Sequence, residues 1–352
     1  MADNNDNSDQ KNPEQMPVEN GGDNGNGKKK RSNFHVRTLT ALFIAVLYVA
    51  PILLGLYIYD IFYDALVVFL MVVAAFEFSR AIAIKFPKPV NIFVYANIVA
   101  GYAAFKLVSE FGRGQGGITA FFGVLAVTFI ACIVFTMCNK NYEVGNAIST
   151  LFVMIYPTTI MVYTLGLAYF MPEAESSITG LAVFGSQSIN AILLLFICTT
   201  LTDTMAYFVG STVKGPKLCP KISPKKTVEG AIGGTLGGIV ASVLVGYLIQ
   251  PVLGTSVSLL HMAMLAKNGA LGCAPITAAV VPNVLHFLVL GLGTSLFCQI
   301  GDLISSYVKR SCGIKDFGNF LKGHGGFMDR IDGLIISAVF LYIYFTILGV
   351  VL

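Results

Sequence analysis

The chain has 352 residues, 55% of them apolar and 12% charged, with a mean hydropathy of +0.74 and a net charge of +4. Its apolar residues run on in stretches of about 20, long enough to cross a bilayer, which excludes a soluble globular domain. The runs are continuous instead of alternating, so they predict helices and not a membrane barrel.

Residues 1–33 are rich in Asn, Asp, Gly, Gln and Lys and have no apolar periodicity, so a disordered arm is expected there. The arm ends in Lys28-Lys29-Lys30-Arg31, read as a charge cluster that keeps the amino terminus cytosolic, with a contact to anionic lipid as the other reading. No cleavable signal peptide is expected, because about 37 mostly polar residues precede the first apolar run.

Candidate spans follow at 38–59, 61–80, 91–109, 118–138, 147–171, 187–210, 229–250, 284–308 and 333–352, giving an all-α polytopic membrane protein of about nine helices. The stretch 252–283 is apolar but interrupted by Lys267, Asn268, Gly269, Gly272, Pro275 and Pro282, and is read as a hairpin, a re-entrant piece or a pair of short helices. With a cytosolic amino terminus, all of the 23 Lys and Arg residues except Lys106, Arg113 and Lys267 fall on the cytosolic side. That puts the two charged loops, 211–228 and 309–332, on one face of the membrane. The expected organisation is the arm 1–33, amino-terminal helices 34–186, and a carboxy-terminal catalytic region 187–352. The seven cysteines (132, 138, 198, 219, 273, 298, 312) are scattered without a CxxC pair, so neither a disulfide framework nor a zinc site is expected. A nucleic-acid partner is not expected either.

Chemistry concentrates in a few places. Asp203 is the one acid of the sixth span, and an intramembrane carboxylate usually faces the bundle interior and a cation or polar partner; hydrogen bonding to its threonine neighbours is the structural alternative. The loop Ser223-Pro224-Lys225-Lys226-Thr227 precedes a glycine-rich helix, where ammonium charges and free helix N–H groups together suit phosphate. Gly230, Gly234 and Gly238 recur at four-residue spacing, a close-packing pattern of membrane helices. The stretch Gly301 to Asp332 collects Asp302, Lys309, Arg310, Lys315, Asp316, Lys322, His324, Asp329, Arg330 and Asp332 between two apolar runs. Charge is costly next to hydrocarbon, ~2.5–3.5 kcal/mol per residue at mid-helix, so such a cluster marks a polar site at the membrane surface. Carboxylates from separate elements plus substrate phosphates are a common way to hold Mg²⁺, and adjacent Lys and Arg point to phosphoryl or nucleotidyl transfer. His324 reads equally as a base, a phosphate donor or a loop-ordering residue.

These residues resemble a known family. Ser306-Tyr307-Val308-Lys309-Arg310, Lys315-Asp316-Phe317-Gly318 and Gly323-His324-Gly325-Gly326-Phe327-Met328-Asp329-Arg330-Ile331-Asp332 are similar to the signature of the phosphatidate cytidylyltransferases, or CDP-diacylglycerol synthases: S-x-x-K-R, K-D, then H-G-G-x-x-D-R-x-D. Asp203-Thr204-Met205-Ala206-Tyr207 and Ser223 to Gly230 resemble that family's D-x-x-A-Y and S-P-K-K-T-x-E-G blocks. The resemblance covers 187–350; Lys322 stands where the family commonly has Pro or Gly. It implies an integral membrane enzyme that joins CTP and phosphatidic acid. It implies Mg²⁺ held by Asp302 and Asp329, with a monovalent cation such as K⁺ left open. It also implies nucleotide-phosphate contacts from Lys225 and Lys226. The residues expected to carry catalysis are Lys309, Arg310, His324 and Asp332. Those expected to bind substrate are Asp203, Ser223, Lys225, Lys226, Thr227, Lys315 and Arg330. The partners expected are CTP, phosphatidic acid and membrane lipid, with a homodimer left open. The site is expected to face the cytosol, in a bacterial inner membrane or an ER-type membrane. The rival readings are a CTP-dependent polyprenol kinase and an ion-coupled transporter; the latter would call for matching interrupted halves, and no internal repeat is present.

Overall fold

The computed structural model describes residues 46–55, 58–112, 115–169, 174–175, 182–183, 186–249, 276–318 and 325–351. Among them, eight helices are long and apolar enough to cross a membrane, each lying over one of the expected spans. The expected span 38–59 is described only from residue 46, as the apolar helix α1 (Val46–Gly55). The expected disordered arm, and most of the interrupted stretch 252–283, lie outside the described residues.

In chain order the remaining elements are α2 (Ile61–Ile82), α3 (Asn91–Gly112), α4 (Gln115–Cys138) and α5 (Val144–Val153), which a π-helical turn (Met154–Thr159) joins to α6 (Ile160–Ala168). Two short ribbon strands, β1 (Ala174–Glu175) and β2 (Ala182–Val183), lead to α7 (Ser186–Val213). A second antiparallel hairpin, β3 (Lys217–Cys219) and β4 (Ser223–Thr227), leads directly into α8 (Val228–Leu244). The last two helices are α9 (Ile276–Cys312) and α10 (Met328–Val351).

Two bundles make up the body. In one, α7, α8 and α9 pack together through glycines. A Cβ on Gly234 would lie 3.0 Å from the Thr202 carbonyl oxygen, and one on Gly238 would meet Thr202 Oγ1 at 2.7 Å and Ser295 Cβ at 2.6 Å. The four-residue glycine spacing thus brings backbones into contact, which is how helices associate where lipid is as apolar as any side chain. In the other bundle α2 packs against α5, α6 and α10 over large buried side chains such as Tyr63, Met71, Phe78 and Leu165. Phe78 joins this bundle to the polar site: its ring lies 5.3 Å from Phe152, 5.4 Å from Tyr156 and 5.4 Å from Phe317 on the loop after α9. Large apolar residues such as Phe69, Val99, Val127 and Met137 remain on the outer surface, as expected of helices that face hydrocarbon.

One boundary differs from the sequence reading in a way that matters. The last helix begins at Met328 and not near 333, so Asp329, Arg330 and Asp332 stand on its first turns instead of in a loop. Acidic residues favour that position because the unpaired N–H groups and the helix dipole attract negative charge.

Replacing Gly238 with Leu is expected to cost ~1–3 kcal/mol, because α7 and α9 would have to separate. Gly123, whose Cβ would meet nothing within 4 Å, is expected to accept Ala within ~1 kcal/mol. Thermal unfolding of the two variants in detergent compares them.

Candidate active site

The polar site is built where several helices end. It takes the carboxy-terminal part of α9, the first turns of α10, the hairpin β3–β4, the last turns of α2 and the loop 313–318. Two close approaches set its geometry. A Cβ on Gly301 would lie 3.0 Å from Gly333 Cα, and one on Gly333 would lie 3.1 Å from the Cys298 carbonyl oxygen, so α9 and α10 cross backbone to backbone beside Asp302 and Asp332. Gly325 has φ +81°, a left-handed conformation that glycine adopts without strain, and it turns the chain into α10.

Asp329 is the most heavily engaged acid. Lys309 donates to its Oδ1 at 2.7 Å, while the backbone N–H groups of Phe317 and Gly326 both donate to Oδ2 at 3.0 Å. The pair is nearly enclosed, with side-chain exposures of 10% for Lys309 and 7% for Asp329. The Lys309 ammonium also lies 5.4 Å from the centre of the Phe317 ring. Asp302 sits at the other side of the site. Lys226 pairs with its Oδ2 at 2.6 Å and Ser306 reaches its Oδ1 at 3.4 Å, with exposures of 25% for Lys226 and 34% for Asp302. Asp332 is buried, accepts the Gly333 N–H at 2.9 Å, and faces the charges of Asp302, Lys309 and Asp203. Asp203 lies in a recess that stays open to the surface, 3.6 Å from the Cys298 thiol and facing Asp302, Lys226 and Arg330. Asp203, Asp302 and Asp332, from three different helices, therefore crowd negative charge into one region, with Lys226, Lys309 and Arg330 as cations set against it.

The other expected residues hold varied positions. The sequence reading grouped Lys225 and Lys226 together, but a strand sends neighbours to opposite faces. Lys226 is half-buried and reaches Asp302, whereas Lys225 is exposed. Ser223 opens β4 opposite Cys219. Thr227 is buried and caps α8, accepting the Gly230 N–H at 3.1 Å. Arg310 braces two loops, donating from Nε to the Ile222 carbonyl and from Nη1 to the Ile314 carbonyl, both at 3.2 Å. Lys315 and Arg330 are exposed. His324 lies outside the described residues.

Glu77 was missed from the sequence. It is 5% exposed on α2, and its Oε2 accepts the N–H of Met328 at 2.9 Å, holding the start of α10 from a distant helix. A side chain on Gly318 or on Gly326 would run into its carboxylate. The signal was available: Glu77 is an acid inside an apolar span, the feature that singled out Asp203.

The carboxylates suit a hard, oxygen-loving cation. Asp302 is paired once and remains partly open, and Asp329 keeps one lone pair on Oδ1 beyond its bond to Lys309. No three His, Cys, Asp or Glu residues among the described ones are close enough to form a complete cage, and Mg²⁺ seldom takes one, since substrate phosphates and water fill its other positions.

Fold and site together define a polytopic helical membrane protein with a charged site where α7, α9, α10 and the hairpin β3–β4 meet. The chain belongs to the cytidylyltransferase family, whose model matches residues 35–348. It is similar to the phosphatidate cytidylyltransferase of Brucella abortus biovar 1 (strain 9-941), with 38% identity over 155 residues that cover 44% of this chain and 46% of that protein. It is also similar to the phosphatidate cytidylyltransferase of Mycobacterium leprae (strain TN), with 40% identity over 103 residues, 29% of this chain and 28% of that protein. With the Mycobacterium tuberculosis (strain ATCC 25618 / H37Rv) protein of the same name it shares 52% over 60 residues, 17% of this chain and 18% of that protein. The matched segments thus span less than half the length of these curated relatives.

Replacing Glu77 with Ala is expected to leave the Met328 amide without its acceptor and to cost ~1–3 kcal/mol. Glu77→Gln retains an acceptor and is expected to cost less. Amide hydrogen exchange across 325–330 should rise in the first variant and stay near wild type in the second.

Proposed function

We propose that the protein is a phosphatidate cytidylyltransferase, transferring the cytidylyl group of CTP to phosphatidic acid to give CDP-diacylglycerol and pyrophosphate. The observation that carries this reading is the pair of lysine–aspartate contacts, Lys226–Asp302 and Lys309–Asp329, which tie the hairpin, α9 and α10 together in a chain of the cytidylyltransferase family. The more open contact, Lys226–Asp302, can be divided between ligands of opposite charge, a phosphate taking the ammonium and a cation the carboxylate.

An oxygen of the lipid's phosphate monoester attacks the α-phosphorus of CTP. A new P–O bond forms as the bond to the pyrophosphate oxygen breaks, and the electron pair leaves with pyrophosphate. The attacking phosphate is already ionised near neutral pH, its second pKa being about 6, so no side chain has to remove a proton. Two anions must approach each other, and offsetting that repulsion is the main task of the site. Lys226 meets the nucleotide from the accessible side. Lys309 lies deeper, beside Asp332, where it offsets charge on the reacting phosphates. Asp302 and Asp329 would hold Mg²⁺ together with substrate phosphates and water, and the ion would supply charge neutralisation on the triphosphate when bound. A monovalent cation beside it is part of the same proposal.

Placement fits both substrates. The Lys and Arg distribution supports a cytosolic position for the hairpin β3–β4 and the loop after α9, where CTP would be dissolved, with the lipid arriving sideways through the bilayer.

Purified protein supplied with phosphatidic acid and CTP labelled at the α-phosphate is expected to move the label into lipid. Transfer from the γ-phosphate instead would indicate a lipid kinase, and no transfer from either would overturn the reading. Asp302→Asn is the clean variant, because a half-exposed ion pair contributes only ~0–1 kcal/mol to stability. Turnover is expected to fall by ~100-fold or more with the thermal midpoint nearly unchanged. Near-normal turnover would remove Asp302 from the site.

A further inference from the structure

We infer that the flank of α2 and the cavity at its end form the seat of the lipid substrate, with Arg80 as the contact for its phosphate. This rests on the reaction proposed above and adds where the diacyl lipid lies.

A cavity of about 730 Å³ opens between α2 and the loop 313–318, within the ~300–1,000 Å³ of small-ligand sites. One wall is Val72, Phe76 and Ile84; the other is Ile314, Phe317 and Gly318. Arg80 stands in the last turn of α2, exposed, with its guanidinium 5.5 Å from the centre of the Phe76 ring. No ion pair among the described residues involves Arg80. Each acid of the wall has a contact of its own, although the Arg80 charge also bears on Glu77. Glu77 accepts the Met328 N–H, and Asp316 Oδ1 stands over Gly325.

The position of Arg80 on its helix selects a lipid over a free anion. Phe69, Val72, Phe76 and Arg80 fall at i, i+3, i+7 and i+11, one face of α2. The first three are exposed by 42%, 37% and 47%. Eleven residues of helix rise about 16 Å, close to the ~15 Å hydrocarbon half-thickness of a bilayer. An acyl chain laid along Phe69, Val72 and Phe76 therefore carries its phosphate to the height of Arg80.

The seat also connects to the reaction centre. The Phe317 ring lines the cavity while its own N–H donates to Asp329, and the Lys309 ammonium lies over that ring. A phosphate at Arg80 thus shares Phe317 with the Lys309–Asp329 pair, while Lys226 and the hairpin do not line this cavity. The two substrates would then be held by different elements, each with its own cation to offset the repulsion between them.

The test uses the full-length protein in mixed micelles with a phosphatidic acid analogue bearing a diazirine on one acyl chain. Photolabel is expected on peptides containing residues 69–84, competed by phosphatidic acid at roughly tenfold lower mole fraction than by phosphatidylglycerol, since a monoester offers the guanidinium more charge and a bidentate edge. Arg80→Gln is expected to weaken labelling and to raise the KM for phosphatidic acid about tenfold, the loss of one charge-assisted hydrogen bond. The KM for CTP should stay within twofold, and Arg80→Lys should recover part of the loss. Label on α2 in a protein that makes no CDP-lipid would support the seat while sinking the proposed reaction. Active protein labelled only on α7, α8 or α9 would overturn the seat, as would equal competition by the two lipids.

Discussion

The Asp329 carboxylate is the knot on which the polar half of the structure is tied. It receives one ammonium and two backbone N–H groups, and these come from α9, from the loop after α9, and from the turn that opens α10. Each of those segments would otherwise carry an unsatisfied polar group near the membrane. An enclosed ion pair gains little over an apolar pair, because two charges must leave water to form it, but removing one partner costs ~3–5 kcal/mol. Its value here is therefore positional. It fixes Lys309 and the start of α10 so that Asp332 and Asp302 come to face each other across a glycine crossing.

The two lysine–aspartate pairs are unequal, and the inequality suits a site that must exchange ligands. Lys226 and Asp302 are open at 25% and 34%, against 10% and 7% for Lys309 and Asp329. Water screens the outer pair, so an arriving phosphate and cation can separate it at small cost. The inner pair resists such separation and keeps its shape. Under the proposed reaction the open pair would receive ligand and the enclosed pair would hold the scaffold beside it.

Most spans were legible because hydrocarbon imposes a length and an apolar content that few soluble segments imitate. The glycine stripe of α8 was legible for a related reason: only glycine permits the approach seen at Thr202. Asp203 stood out as an acid in an apolar run, and Lys309 with Asp329 stood out as charge in a short stretch. What escaped was set by tertiary contact. Lys225 and Lys226 look alike in sequence, and the hairpin alone decides that one of them reaches Asp302. The start of α10 at Met328 depends on Glu77, a residue 251 positions earlier, and no local pattern around 328 records that partner.

Glu77 is one end of a longer tether. At the opposite end of α2, Asp60 and Asp64 are buried with Lys106 of α3 and Tyr169 after α6: Lys106 Nζ lies 2.6 Å from Asp60, and Tyr169 donates to Asp64 at 2.6 Å. Tyr102 donates to the same Asp64 oxygen at 2.9 Å. Helix α2 is therefore pinned by polar contacts at both ends, to the amino-terminal helices at its start and to the first turn of α10 at its finish. In a bilayer, where apolar contact alone gives helices little reason to choose one neighbour over another, such directional contacts fix height and rotation. That fixes the stripe ending at Arg80 against the loop that binds Asp329. The amino-terminal half, which carries none of the signature motifs, thereby becomes one wall of the site.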